Sequence, residues 1–131
     1  MLRLILAGLL LAVPAAASAK APAGIWQNPK GNVRVQFRDC GRDVICGRVI
    51  WASPAARAKV AEAGGGPLVG RDLFDRFEAD GPNSWAGEIF VPDIGQSFAG
   101  TITQTNAGTL VGEGCLFAGF GCKEQVWRRV K

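Results

Sequence analysis

From Gly24 onward, clusters of turn-forming residues interrupt the chain about every ten residues, and the runs between them are too short for anything but strands. The clusters are Asn28-Pro29-Lys30-Gly31-Asn32, the segment between Cys40 and Cys46, Gly64-Gly65-Gly66, Asp80-Gly81-Pro82-Asn83, Pro92-Asp93-Ile94-Gly95 and Asn106-Ala107-Gly108. Several runs carry the two-residue period of a half-buried strand. Val33, Val35 and Phe37 alternate with Arg34, Gln36 and Arg38, and Phe98, Gly100, Ile102 and Gln104 alternate with Ala99, Thr101, Thr103 and Thr105. The runs on either side of Pro92-Asp93-Ile94-Gly95 predict a hairpin, because Pro92 presets φ at the second position of a turn and Gly95 gives a permissive backbone at its end. Further strands are expected over Gly24–Trp26, Val44–Trp51, Leu73–Glu78, Thr109–Leu116 and Lys123–Val130, with Gly47 permitting a bulge or a close backbone approach. About eight short antiparallel strands define an all-β chain, either barrel or sandwich.

One segment breaks this pattern. Ser53 stands at an N-cap position, Pro54 opens a helix, an alanine-rich stretch runs to Ala63, and the three glycines stop it. With alanine at most of its apolar positions, this short helix is expected outside the core, either as a surface connector or as a gate over a cavity.

The N-terminus reads differently again. Arg3, an apolar run from Leu4 to Val13, Pro14 and the small-residue close Ala17-Ser18-Ala19 follow the grammar of a secretory signal peptide, so residues 1–19 are expected to be cleaved. The apolar run is shorter than the roughly twenty residues a spanning helix needs, and no transmembrane span is expected after cleavage. Residues 20–131 then form a single exported domain, periplasmic or secreted. The net charge of +4 falls to +3 with the loss of Arg3. The basic residues are dispersed rather than gathered in a stripe, which argues against nucleic acid as a partner.

Four cysteines in an exported chain imply two disulfides. Cys40 and Cys46 bracket one turn-like loop, and Cys115 and Cys122 bracket another. Local pairing is expected, while crossed pairing stays open if the two turns meet in space. Neither pair has redox Cys-x-x-Cys spacing, and the chain has no histidine for a mixed zinc site, so structural staples are expected and neither a metal nor a cofactor.

Gly24-Ile25-Trp26 followed by Val33-Arg34-Val35, Cys46-Gly47-Arg48-Val49-Ile50-Trp51, the Trp85-x-Gly-x-Ile-Phe-x-Pro-x-x-Gly-x-x-Phe hairpin, and the run from Leu110 to Trp127-Arg128-Arg129 resemble the bacterial family of domain of unknown function (DUF) 2147. The resemblance implies an exported small antiparallel lipocalin-like β-barrel without an agreed catalytic residue set. Phe90 and Val91 stand where the family usually has tyrosine and aspartate, and Cys122 where it commonly has arginine.

Without histidine or tyrosine, acid–base chemistry would fall to Glu78, Glu88, Asp93 or Glu113 as a carboxylate hydrolase. Glu88 is also readable as a solvated strand carboxylate opposite an arginine such as Arg34, and Asp93 as a turn former. A barrel of this size either fills with side chains or holds one small ligand. For the latter, the expected lining is Trp26, Trp51, Trp85, Phe90 and Phe98 with Glu88, and an acidic ligand head would sit near Arg34 or Arg48. Phe117 and Phe120 form a disulfide-closed apolar knob that either contacts an envelope protein or caps the barrel end. The leading expectation is non-catalytic binding of a small hydrophobic or amphipathic molecule in the periplasm. A structural or protein-interaction module of the envelope comes second and a carboxylate hydrolase third.

Overall fold

Each run between turn clusters becomes a strand, and the strands close on themselves. The computed structural model describes residues 20–117 and 120–131, together with Gly8. The expected signal peptide otherwise lies outside the described residues. The strands are β1 (Ile25–Gln27), β2 (Val33–Gly41), β3 (Val44–Ala52), β4 (Asp72–Ala79), β5 (Ser84–Val91), β6 (Gln96–Asn106), β7 (Thr109–Phe117) and β8 (Phe120–Arg129), and the helix α1 (Pro54–Glu62) lies between β3 and β4. Every strand pairs antiparallel with the next, and β8 returns to β1 through Trp26–Arg129 and Gln27–Arg128. That last pairing makes the sheet a closed barrel rather than a sandwich, with β1 covering only the Arg128–Arg129 end of β8. Among the described residues, no helix is long and apolar enough to cross a membrane.

In this meander the β1–β2 turn, the connector holding α1 and the β5–β6 turn gather at one end, where β7 also passes into β8. The other three turns lie at the opposite end. The core is built from inward faces: Val35 on β2, Ile45 and Val49 on β3, Phe77 on β4, Trp85 on β5, Ile102 on β6 and Leu110 on β7 are all buried. Phe74 links this core to the helix end. Its ring lies 5.2 Å from Phe37, 5.7 Å from Phe77 and 5.4 Å from Trp127, between centroids. Gly47 makes that arrangement possible, since a Cβ there would fall 2.7 Å from the Phe74 ring and 2.9 Å from the Phe37 ring. The β3–β4 register also shifts at Gly47, so the bulge and the close approach expected from the sequence occur together.

The hairpin turn forms as its residues dictate: Gly95 takes φ +63°, and its N–H donates to the Val91 carbonyl at 3.0 Å. At α1, the Ser53 hydroxyl accepts from the Ala56 N–H at 3.1 Å, and Pro54 occupies the first turn. The expectation of a helix outside the core needs one correction. Val60 is buried in the core cluster and Ala56 packs against it, so α1 is anchored by these two apolar side chains. Both disulfides close locally, Cys40 with Cys46 and Cys115 with Cys122.

On the outer surface Arg38 grips Asp72 across β3 with two hydrogen bonds of 2.7 and 3.0 Å. These bonds hold the Asp72 carboxyl below the ordinary carboxylate range, with the charges of Arg38 and Arg48 adding to the effect and burial opposing it. A carboxylate with a lower pKa folded than unfolded stabilises the fold above its unfolded value, and the contribution is lost as pH falls through the folded value. Both side chains are partly solvated, so Asp72→Asn should cost at most about 1 kcal/mol at neutral pH. That difference should shrink as pH drops below about 4 and vanish in stronger acid. Urea unfolding of both proteins across this range checks it; a gap that stays constant into acid would show that the ion pair is not its origin.

Candidate functional site

The half of the barrel toward α1 is not filled in the same way. Inward positions there are occupied by glycine on three successive strands: Gly87 on β5, Gly100 on β6, and Gly112 and Gly114 on β7. The register places them in two rows running across the sheet, Trp85–Ile102–Gly112–Gln125 and Gly87–Gly100–Gly114–Lys123. Ile89 uses part of this space, folding over Gly100 with its tip 3.5 Å from where a Gly114 Cβ would lie. At Gly112 a Cβ would meet nothing closer than 3.8 Å. The bare positions Gly112 and Gly114 on β7 border a cavity of about 700 Å³ opening at the helix end.

Leu73, Phe74 and Trp127 line the cavity beside the packed core, and Ile89, Phe90 and Phe98 line it nearer the mouth. Its polar lining comes from Asn28, Lys30 and Asn32 of the β1–β2 turn, Lys59 of α1, Asp93 of the β5–β6 turn, and Lys123, Glu124 and Gln125 of β8. Because Trp127 is buried inside the barrel and β8 pairs with β7 without a bulge, Gln125 and Lys123 share its inward face. Four residues of strand put Lys123 about 13 Å along β8 from Trp127.

Two cationic side chains fix one side of the mouth. Lys59 Nζ lies 3.1 Å from Asp93 Oδ2, joining α1 to the β5–β6 turn. The Arg71 guanidinium donates to the Gly65 carbonyl and stacks 4.3 Å from the Phe90 ring centroid, tying the connector to β5. The helix is therefore fastened at its own Lys59 and along the segment that follows it.

Of the residues expected to line a cavity, Phe90 and Phe98 do so. Trp26 and Trp85 are buried in the packed core, and neither indole N–H has an acceptor among the described residues. Trp51, Arg34, Arg48 and Glu88 require correction, since they lie on the outer face. Trp51 stands directly opposite Arg34, shares its outward direction, and carries the Arg34 guanidinium 4.8 Å from its ring centroid. Arg34 Nε also donates to Gln27 Oε1 at 3.0 Å, while Arg48 approaches Asp72 at 3.9 Å. Glu88 is exposed, with Asp75 and Ala99 as its register neighbours rather than Arg34. The backbones of Phe117 and Phe120 are paired positions at the β7–β8 junction, and their side chains lie outside the described residues.

Among the carboxylates considered for acid–base work, Glu78, Glu88 and Glu113 are exposed, and Asp93 reaches the cavity rim, where Lys59 holds it. Among the described residues, two clusters bring metal-ligand residue types within 4.8 Å, Cys46 with Asp72 and Asp75, and Glu113 with Cys115 and Cys122. In both the sulfur is already committed to a disulfide and offers no thiolate. Sequence reasoning passed over Lys123 and Gln125; counting back from Trp127 in steps of two is the signal that finds them.

Fold and site together define a small up-and-down β-barrel with one half packed solid and an apolar cavity open at the other. The chain belongs to the family of uncharacterized proteins conserved in bacteria (DUF2147), whose model matches residues 24–129. The comparisons with curated proteins and with solved structures found no match.

Proposed function

We propose that this protein binds a small hydrophobic or amphipathic molecule, without catalysis, in the cavity at the helix end of its barrel. The observation that carries the reading is the inward glycine pair at 112 and 114, which removes side-chain volume from a cavity also lined by Leu73, Phe74 and Trp127. A volume of about 700 Å³ with an apolar interior and polar groups near the mouth falls within the range of small-molecule sites. The secretory grammar of residues 1–19 supports a periplasmic setting, where such a carrier would meet lipids and other poorly soluble molecules.

The test uses purified protein with both disulfides formed and follows tryptophan emission, since Trp127 lines the cavity. Dodecanol, an uncharged single-chain amphiphile, is expected to produce a saturable change. Gly112→Leu should abolish it, because the new side chain projects into the open volume above Ile102, while the unfolding midpoint stays close to that of the native sequence. Absence of saturable binding, or undiminished binding by Gly112→Leu, would overturn the proposal.

A further inference from the structure

We infer that the cavity selects a single-chain amphiphile with an anionic head, bound head-outward with the head at Lys123. The inference rests on the cavity being the binding site and specifies what enters it. Lys123 is a cation that β8 directs toward the cavity: it ends the row Gly87–Gly100–Gly114–Lys123, whose three glycines have no side chains of their own to cover it, whereas Arg129, the other cation on that face of β8, pairs with Trp26 and lies outside the cavity lining. The ion pairs among the described residues are Arg38–Asp72, Arg48–Asp72 and Lys59–Asp93, and none includes Lys123.

The surrounding charges favour an anion. The cavity lining carries Lys30, Lys59 and Lys123 against Asp93 and Glu124. Asp93 is already held by Lys59, and strand alternation turns Glu124 outward from the face that bears Lys123 and Gln125. Gln125, one step deeper on the same face, has an amide N–H₂ within reach of a second head oxygen. Beyond it the strand contributes Trp127 to the cavity, beside Phe74 and Leu73, so the segment of a ligand below the head meets mainly apolar surface. This order, cation then amide then aromatic and aliphatic groups, matches an amphiphile entering tail first. An ammonium is a point charge without the planar fork that reads carboxylates, so it accepts carboxylate or phosphate heads alike.

The experiment compares dodecanoate, dodecyl phosphate and dodecanol on the same protein by tryptophan emission, with Lys123→Gln and Lys30→Gln as variants. The native protein is expected to bind at least one of the two anions about tenfold more tightly than the alcohol, a preference that weakens with added salt. Which anion binds more tightly assigns the head as carboxylate or phosphate. Lys123→Gln should remove the preference, weakening the anions about tenfold more than it weakens dodecanol, and Lys30→Gln should keep most of it. Equal affinity for the anions and dodecanol, or a preference that survives Lys123→Gln, overturns this inference and leaves the cavity proposal standing. Failure of all three to bind overturns both. Lys123 is solvent-exposed, and matching unfolding curves for the native and variant proteins confirm that the comparison is made on folded chains.

Discussion

Phe74→Ala is expected to destabilise the protein by about 3–5 kcal/mol, the range for deleting a buried aromatic ring. The ring is 3% exposed and, among the described residues, is the one aromatic that touches Phe37, Phe77 and Trp127 together. Its removal opens a void between the packed core and the cavity, and neither neighbour is free to collapse into it. Gly47 has no side chain to offer, and Phe37 is already pressed onto the Gly47 backbone. The cost should therefore fall toward the upper part of the range, where residual cavity volume adds to lost transfer energy. Phe98→Ala, at a half-buried position on the cavity wall, should cost clearly less and act mainly on ligand affinity. Urea unfolding of both variants separates the two roles. If Phe74→Ala loses no more than about 1 kcal/mol, the aromatic cluster is not what joins the core to the cavity.

Strands were legible wherever one face is dry. At Val33 to Arg38 and Phe98 to Thr105 the two-residue alternation names both the strand and its inward side, because burial on one face and water on the other enforce it. Local chemistry was legible for the same kind of reason: Ser53 and Pro54 start a helix, and Pro92 and Gly95 close a turn, whatever the tertiary context. The site was harder to read because its causes are not local. Trp51 resembles a core tryptophan in composition, yet the register opposite Arg34 assigns it to the outer surface, and β-bulges set that register. Near the open end of the barrel the inner wall is itself wet. Lys123 and Gln125 can therefore point inward, and the hydrophobic alternation that would have revealed their direction is missing on that part of β8. By themselves the glycines at 112 and 114 read only as residues of a strand; that they clear one wall of a cavity emerges only when β7 is laid beside its neighbours in the closed sheet.

Gly87→Ala is expected to lose about 3 kcal/mol, the top of the usual overpacking range, from the addition of one methyl group. The reason lies on the neighbouring strand. The β4–β5 register runs from Asp75 opposite Glu88 to Glu78 opposite Ala86, so Arg76 and Phe77 share the single residue Gly87 as their counterpart. Arg76 sits at φ +49° in this bulge. The bulge carries the Arg76 and Asp75 carbonyl oxygens to 2.7 and 2.9 Å from where a Gly87 Cβ would lie, with the Phe77 ring at 2.8 Å. Two of these three obstacles are backbone, and the third belongs to a fully buried ring, so no flexible side chain can yield. Gly112→Ala provides the matched control. It lies on the same inward face with only ordinary contacts waiting, and replacing glycine within a strand there should be neutral or gain up to about 1 kcal/mol. Thermal or urea unfolding of the pair should show a large loss at Gly87 and none at Gly112. Equal effects would mean that glycine serves chain flexibility rather than space at both positions. The ligand assay adds a second distinction: displacing the bulge moves Phe77 and, through it, Phe74 at the cavity, so Gly87→Ala should weaken dodecanol binding in chains that remain folded. Gly112→Ala, adding a single methyl to an open wall, should retain most of it. Packing and open volume depend on different glycines of one inward surface, those at 87 and 47 admitting neighbouring groups and those at 112 and 114 bordering the cavity.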